Sequence, residues 1–464
     1  RTTTTHPTTA SFPTRSFSFL ANHPHAPHLI ILSRVVSFAH TPPACSSPPI
    51  FIFTPAMRGR FSPEMTLPNL LRWAQIKGLD ALSTGDCLHG PWLRELEGHL
   101  SPGNDGLLHP SSELLTASRQ NLPEHLHRSV RFVLGTEVSC GARSTDDPRG
   151  IHVLIYLPDF AAVHALRASL TAFSDLDGEK QGRPALLLSP RDVLQRSLAI
   201  PGAHFSPAHV FNSFVSLLNA VDGHTRVTDA FGDLTSELLG LEAALTSTPA
   251  HCRRLSQLDR HALLANSDAH SLPKLGRECS LFETPTESDF TYDSLFSAIN
   301  RRKKSPVRLV GTEEYPVTFA RYWLNWCSHC QQAHDAPAHG TCPVCRKTKL
   351  VLGARDRLAQ LADRDAPARH LPFVERLPLL QLLTTLAGRA EPNDEITRLY
   401  HALIGNLGAE RTILNETEPE AIARASFPAL ADAIIAQRAG RLDFAALRHR
   451  PAPPVPSADQ LPLF

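Results

Sequence analysis

The chain has 464 residues, which is enough for two or three domains with a sizeable hydrophobic core. Its formal net charge of +1 at pH 7 excludes a uniformly basic protein, so a surface that binds nucleic acid must be a local cluster of basic residues. No run of about 18 apolar residues occurs, which argues against a membrane-spanning helix.

The cysteine content points to a reducing compartment. There are nine cysteines, an odd number, and four of them form two Cys-x-x-Cys pairs. This pattern favours metal binding over a disulfide framework. We therefore expect a cytoplasmic protein, associated with the nucleoid if it acts on DNA.

Residues 1–50 are rich in Thr, Ser, Pro and His, and they show no helical or strand periodicity. We interpret them as a disordered segment or as an N-terminal sequence that is not native to the protein. A start at Met57 or a reading-frame error upstream would explain the unusual composition.

Five short apolar runs between residues 79 and 264 predict buried strands, and helical patterns follow several of them. A repeated order of strand, polar residue and helix is typical of an α/β protein with a parallel sheet or barrel. The predicted strands are Leu79–Leu82, Arg131–Leu134, Ile151–Leu157, Leu198–Ile200 and Ala262–Leu264. The predicted helices of this part are Thr66–Lys77, Gly90–Leu100, Phe160–Phe173 and Val210–Leu218.

Acidic and histidine side chains lie in these strands or directly after them. The carboxyl ends of barrel strands converge on one mouth, so these side chains could share a cavity and bind divalent metal ions. Taken singly, each histidine is more often an ordinary partly buried residue than a ligand, and an Asp-x-His pair more often caps a turn. The candidate ligands are Asp86, His89, Glu137, His152, His204, Asp268 and His270.

Four segments, in order along the chain, resemble the endonuclease Q family, a branch of the PHP phosphoesterases. They are Thr84–Leu93, Gly182–Pro184, Asn266–His270 and Lys274–Glu278, and the resemblance runs from about Met65 to Arg364. It implies a PHP-type distorted barrel over residues 51–310 that holds two or three ions of magnesium, manganese or zinc. It also implies an endonuclease that nicks DNA beside deaminated bases or abasic sites.

In this hypothesis Glu137 bridges metal ions, and His204, Asp268 and His270 join it as catalytic residues. Arg183 and Arg277 are candidates for binding a backbone phosphate through two guanidinium donors, and surface ion pairs are the alternative.

The chain departs from the family at the first metal motif. PHP proteins carry His-x-His on the first barrel strand, shortly before a helix such as Thr66–Lys77. At this place the sequence reads Phe51-Ile52-Phe53-Thr54-Pro55, and phenylalanine cannot bind a metal ion. Either the N-terminal sequence is not the native one, or the protein has lost part of its metal site.

A cysteine module is predicted over residues 311–365. Two Cys-x-x-Cys units, separated by eleven residues, can supply four thiolates to a tetrahedral zinc ion and leave no coordination position for water. We expect this zinc to be structural, because the short segment lacks a core of its own. The ligands are Cys327, Cys330, Cys342 and Cys345.

The remaining chain divides into a helical domain over residues 366–450 and a proline-rich tail over residues 451–464. The chain ends Gln460-Leu461-Pro462-Leu463-Phe464, which resembles the peptide by which bacterial proteins bind the sliding clamp. Leu461, Leu463 and Phe464 offer apolar side chains to a pocket, and Gln460 offers hydrogen bonds.

The sequence therefore predicts a metal-dependent DNA-repair endonuclease that binds damaged DNA and the sliding clamp. One alternative is a catalytically impaired paralogue that binds lesion DNA and the clamp, which the phenylalanines at positions 51 and 53 favour. Another is a PHP phosphatase of small phosphomonoesters, although such an enzyme needs neither the zinc module nor the tail.

Overall fold

Short apolar segments form the strands of the protein, and amphipathic segments form its helices. The computed structural model describes residues 50–55, 63–141, 150–178, 183–243, 245–300 and 304–448, and for residues 50–55 only the backbone. The described residues lie in one compact unit, Pro43–Phe464. The predicted disordered segment, apart from its last residue, and the predicted clamp-binding tail lie outside the described residues.

The strands of the described residues are numbered in chain order. They are β1 Ile50–Pro55, β2 Ala81–Ser83, β3 Leu100–Pro102, β4 Leu108–Pro110, β5 Arg131–Cys140, β6 Ile151–Leu157, β7 Ala185–Leu186, β8 His204–Pro207, β9 Leu241–Glu242, β10 Leu263–Leu264, β11 Cys279–Glu283, β12 Arg308–Glu314, β13 Asn325–Cys327, β14 Gln332–His334 and β15 Phe373–Glu375.

The α-helices are numbered in the same way. They are α1 Leu67–Lys77, α2 Gly90–His99, α3 Ser112–Arg119, α4 Phe160–Leu170, α5 Pro190–Leu198, α6 Val227–Phe231, α7 Pro249–Cys252, α8 Tyr292–Asn300, α9 Ala354–Leu361, α10 Leu379–Leu386, α11 Asp394–Leu407, α12 Glu410–Asn415, α13 Pro419–Ala425, α14 Pro428–Arg438 and α15 Phe444–Arg448.

One mixed sheet organises the larger part of the fold. Its main path runs β15-β12-β11-β1-β2-β5-β4-β3, while β6 and β7 pair with β5, and β8 pairs with β6. The strands β1, β2 and β5 are parallel, whereas β5, β6 and β8 are antiparallel. The predicted α/β class is confirmed. The predicted distorted barrel is not, because within the described residues the sheet does not close.

The first helix shows how local sequence sets the element boundaries. Thr66 precedes α1, and Gly78 ends it with φ 79°, a left-handed conformation that suits glycine. The Gly78 N–H returns to the carbonyl oxygen of Gln75 at 3.1 Å. The predicted helix Thr66–Lys77 is confirmed to within one residue, and its apolar face is buried in the main core.

The predicted helix Val210–Leu218 does not form. Val215 adopts φ 52°, which a right-handed helix cannot contain. Its carbonyl oxygen accepts a hydrogen bond from the His152 N–H at 3.0 Å, so the segment is tied to β6 instead of to itself. This tertiary contact overrides the local helical pattern.

The C-terminal helices α10 to α14 form a second core of leucine and isoleucine side chains. Asn393 caps α11, because its side chain accepts from the Ile396 N–H at 3.0 Å. Glu418 precedes α13, and Pro428 is the first residue of α14, a position that suits proline. This part of the chain supports the sheet and adds no cluster of candidate ligands among the described residues.

Candidate metal centre

The antiparallel strands β5, β6 and β8 bring three candidate ligands to one buried place. Glu137 lies opposite Leu154 and Ser139 lies opposite His152, so Glu137 and His152 project from the same face of the sheet. His209 follows the end of β8 by two residues and reaches the same place. Glu137, His152 and His209 are 2%, 6% and 3% exposed.

The distances in this group suit a bound cation. Glu137 Oε1 lies 2.8 Å from His152 Nδ1 and 3.8 Å from His209 Nε2. His152 Nδ1 and His209 Nε2 are 3.2 Å apart. Ligands that bind a metal ion at about 2.1 Å lie about 3.0–3.4 Å from one another, so small adjustments bring all three atoms onto one ion. A carboxylate with two imidazoles suits manganese, iron or zinc.

The chemistry of the donor set supports the fit. One carboxylate oxygen and two imidazole nitrogens, all on buried side chains, lie within 4.8 Å of one another. The residues present therefore fit a divalent ion at this place.

The charges of the pocket are strongly coupled. Burial opposes ionisation of Glu137, yet Arg183 and His152 hold its pKa well below the usual range of a glutamate. Burial, together with the Arg183 charge, lowers the pKa of His152 to about 4. Burial by itself would lower the pKa of His209, but the hydrogen bond to Glu137 and the charge of Glu137 outweigh burial and raise this pKa to about 9. Glu137 is therefore an anion in this pocket, and the His209 and Arg183 cations balance its charge.

Arg183 contributes the positive charge that faces this pocket. Its Nε lies 2.5 Å from Glu137 Oε1, and its Nη1 lies 3.3 Å from His152 Nε2. The structure thus places the predicted phosphate-binding Arg183 beside the candidate ligands, with 26% of its side chain exposed.

A second acidic residue, Glu242, joins the centre from the parallel pair β9 and β10. Its Oε2 accepts a hydrogen bond from the His209 N–H at 3.0 Å, and the residue is 2% exposed. Burial, with the charges of Asp268 and Glu137, raises the pKa of Glu242 to about 8. Asp268 acts electrostatically on both His209 and Glu242, so the loop after β10 borders the same pocket.

Asp268 and His270 follow the end of β10, as predicted, and they contact each other. His270 Nδ1 lies 3.0 Å from the Asp268 carbonyl oxygen and 3.5 Å from Asp268 Oδ1. Among the described residues, these two side chains fall outside the group of Glu137, His152 and His209, whose ligand atoms lie within 4.8 Å of one another.

Asp86 and His89 lie in the loop between β2 and α2. The His89 N–H donates to the Asp86 carbonyl oxygen at 2.9 Å, and His89 is the residue before α2. Asp86 is 3% exposed and has φ 47°. Within the described part of the chain they too fall outside the 4.8 Å group. The backbone of β1 pairs with β2, with Pro55 opposite Ser83, so residues 53–55 lie beside the strand that leads to Asp86.

His204 does not reach the candidate centre. It pairs with Tyr156, whereas the Ala208 N–H donates to the His152 carbonyl oxygen. His204 therefore lies about four residues, or about 13 Å, from His152 along the strand direction. Its ring stacks on Phe296, with centroids 4.3 Å apart.

The reason for this correction is a misplaced strand. The predicted strand Leu198–Ile200 is in fact the end of α5 and a turn, so His204 begins β8 instead of following a strand. His209 follows the other end of β8 by two residues. His209 and Glu242 were not predicted as ligands because β8 and β9 are only four and two residues long. The short apolar runs before these two residues are the signals that could have indicated the strands.

Arg277 lies against the Asp268 loop. Its Nε donates to the Ser267 carbonyl oxygen at 2.6 Å, and its Nη2 donates to the Asp268 carbonyl oxygen at 3.0 Å. The guanidinium also lies over the Tyr315 ring, 5.7 Å from the centroid.

The four module cysteines form a second group suited to a metal ion. Cys327 Sγ and Cys345 Sγ are 3.5 Å apart, and Cys330 Sγ and Cys342 Sγ are 3.6 Å apart. A tetrahedral ion with bonds of about 2.3 Å to sulfur places the sulfurs about 3.8 Å apart, so the group fits such an ion. The backbone N–H of Cys330, together with the Thr348 hydroxyl, lowers the pKa of Cys327 to about 5, which favours the thiolate.

The fold and these two groups define a class: a mixed α/β protein with a buried carboxylate–histidine centre and a separate four-cysteine site. No known family profile matches the chain. Within the described residues, no helix is long and apolar enough to cross a membrane.

The particular resemblance is to endonuclease Q. The chain is similar to the crystal structure of the lesion-specific endonuclease PfuEndoQ from Pyrococcus furiosus, with a TM-score of 0.68 and 24% identity over 84% of this chain and 91% of that chain. It is also similar to endonuclease Q in complex with a 27-mer duplex that carries an abasic lesion at the active site. That TM-score is 0.70, with 25% identity over 85% of this chain and 93% of that chain.

A curated relative without an assigned function covers a similar span. The uncharacterized protein YqxK of Bacillus subtilis (strain 168) is 25% identical over 379 residues, which is 81% of this chain and 88% of that protein. The resemblance to the endonuclease Q family, inferred from four sequence segments, is confirmed by the two structures.

Proposed function

We propose that the protein is a metal-dependent DNA-repair endonuclease that hydrolyses a phosphodiester bond next to a deaminated base or an abasic site. The observation that carries the proposal is the convergence of Glu137, His152 and His209 in a chain with the fold of endonuclease Q. An endonuclease Q structure contains a duplex with an abasic lesion at its active site, which supports damaged DNA as the substrate class.

The residues of the pocket would divide the work. Glu137, His152 and His209 would hold the cation. Asp268 would add a negative charge beside them, and Glu242 would fix the His209 backbone through its hydrogen bond. A divalent ion bound there would polarise a phosphoryl oxygen and supply a hydroxide from bound water. Arg183 would meet the DNA backbone with the partly exposed side of its guanidinium, while Nε and Nη1 face Glu137 and His152.

The decisive experiment measures nicking. The purified full-length chain is incubated with manganese or magnesium and with labelled duplexes that contain uracil, hypoxanthine or an abasic site, or no lesion. We expect nicking of a lesion duplex and intact undamaged duplex, and we expect the Glu137→Gln variant to be inactive. If none of the lesion duplexes is nicked with either metal, the proposal is contradicted.

A second candidate function is supported by the segment around β1. Phe51 and Phe53 lie on the strand where PHP proteins carry two histidine ligands. A protein with an incomplete metal site would bind lesion duplexes and the sliding clamp without cutting. Binding of the abasic duplex without nicking, at any manganese concentration, would favour this adaptor over the enzyme.

The cysteine module would bind structural zinc and offer a surface to the DNA, and the tail would bind the sliding clamp. The tail proposal rests on Gln460, Leu461, Leu463 and Phe464 alone. Deleting the last five residues should abolish retention of the protein on an immobilised bacterial sliding clamp. Retention equal to that of the full chain would refute this proposal, while nicking of free duplexes should be the same in both forms.

A further inference from the structure

The loop that carries Asp268 adopts a backbone conformation that needs outside support. Asp268 has φ 39°, in the left-handed region, which is uncommon for residues other than glycine but is adopted by aspartate more often than by most. The loop joins β10 to a 3-10 turn, Leu272–Lys274. Contacts with the rest of the fold therefore hold the loop in this conformation.

Arg277 makes the contacts that hold this conformation. Two donors of one guanidinium reach two consecutive carbonyl oxygens, Ser267 O at 2.6 Å and Asp268 O at 3.0 Å. These bonds fix both peptide planes that flank the Asp268 Cα, so they fix the direction of its side chain. A planar fork of donors suits this task, whereas a lysine offers a single point of charge.

Arg277 itself is held firmly. Its N–H donates to the Lys274 carbonyl oxygen at 3.2 Å, and its guanidinium lies over the Tyr315 ring. The next residue, Glu278, is fully buried and accepts hydrogen bonds from the N–H groups of Leu245 and Tyr315, at 2.9 and 2.8 Å. The base of the arginine is thus anchored to two other segments of the protein.

We infer that Arg277 is a positioning residue, which holds the Ser267–Asp268 backbone so that the Asp268 carboxylate faces the metal centre. The carboxylate in this position raises the affinity of the centre for divalent cations. This role differs from direct binding of a DNA phosphate, because Nε and Nη2 are committed to the loop. The inference rests on the proposed function, since it concerns the same centre.

The test separates metal affinity from DNA affinity. Manganese binding is measured from the electron paramagnetic resonance signal of free manganese, and DNA binding from the fluorescence anisotropy of an abasic duplex in EDTA. Loss of an outer group that supports a metal site weakens metal binding by about 10–100-fold. We expect that loss in Arg277→Met, a smaller loss in Arg277→Lys, and DNA affinity within about twofold of the wild type.

Two further variants sharpen the result. Arg191→Met removes an exposed arginine paired with Asp233 and should leave both affinities unchanged. The double variant Arg277→Met/Asp268→Asn should bind manganese no more weakly than Asp268→Asn, because Arg277 acts through Asp268. Additive losses would show that Arg277 acts elsewhere and would overturn the inference.

The outcomes distinguish the inference from the proposed function. Wild-type manganese affinity in Arg277→Met, or a loss confined to DNA affinity, overturns the positioning role and leaves the nuclease proposal intact. If Arg277→Met does not fold by circular dichroism, Arg277→Lys decides by the same two measurements. If the wild-type protein binds no manganese, the inference and the metal-dependent function fail together.

Discussion

At the scale of single residues, backbone strain marks the candidate metal centre. Asp86, His209 and Asp268 have φ values of 47°, 29° and 39°, and each lies just after a strand of the described chain. Non-glycine residues in this region are uncommon, and they cluster at sites where a side chain must be aimed. Two of the three, His209 and Asp268, border the candidate metal centre, which favours a functional origin for their conformations.

His209 and His204 provide a matched pair of substitutions. We expect His209→Ala to lower lesion-dependent nicking by about 100-fold or more and to weaken manganese binding, because it removes a ligand atom. His204→Ala removes a ring stacked on Phe296 and should retain manganese binding while it loses about 1 kcal/mol of stability. Equal loss of metal binding in both variants would contradict the assignment.

Some of these residues could be predicted from the sequence, and some could not. Glu137, His152 and Asp268 could, because each accompanies an apolar run long or clear enough to indicate a strand. His209 and Glu242 could not, because their strands are short and their positions depend on pairing with distant segments. The pattern of apolar runs predicted which residue types would be ligands better than it predicted where the short strands end.

At the scale of elements, α12 joins the C-terminal helices to the sheet. Its first residue, Glu410, forms a buried ion pair with Lys77 of α1, with Nζ and Oε2 2.7 Å apart, and accepts a hydrogen bond from the Tyr400 hydroxyl at 2.7 Å. Its second residue, Arg411, pairs with Glu313 of β12. Two adjacent residues thus connect two layers of the fold.

We expect Lys77→Met to destabilise the protein by about 3 kcal/mol, because Glu410 would remain buried without its cation. Adding Glu410→Gln should recover most of the loss, since the amide keeps the hydrogen bond from Tyr400 without a buried charge. Urea unfolding measures both values. A double variant as unstable as Lys77→Met alone would show that the cost comes from packing and not from charge.

The elements that sequence patterns predicted well are the capped helices and the longer strands. The predicted helices over α1, α2 and α4 and the predicted strand over β6 agree closely with the structure. The predicted parallel order was only partly right, because β5, β6 and β8 pair in antiparallel fashion. Strand direction depends on how the connection between two strands returns to the sheet, and the apolar pattern of the strands does not indicate this.

At the scale of the whole molecule, a pair of buried carboxyls makes stability depend on pH. Glu278 and Glu314 are both fully buried. Burial, with the charge of Glu375, raises the pKa of Glu314 to about 8, and burial, with the charge of Glu314, raises the pKa of Glu278. The folded protein therefore keeps a proton that the unfolded chain releases above the ordinary glutamate pKa near 4.5.

The sign of the effect follows from proton linkage. Between pH 4.5 and 8 the folded state binds more protons than the unfolded state, so this contribution to stability is full below pH 4.5 and falls as pH rises through the window. We expect Glu314→Gln to gain stability relative to the wild type from pH 5 to pH 8 in urea unfolding. Parallel pH profiles for the two proteins would contradict the raised pKa.

The central claim is that Glu137, His152 and His209 together bind a divalent metal ion. Its most direct test is the anomalous diffraction of crystals of the full chain soaked in manganese. The account predicts an anomalous peak about 2.2 Å from Glu137 Oε1, His152 Nδ1 and His209 Nε2. Ordered side chains at these three positions with no peak between them, at saturating manganese, would contradict it.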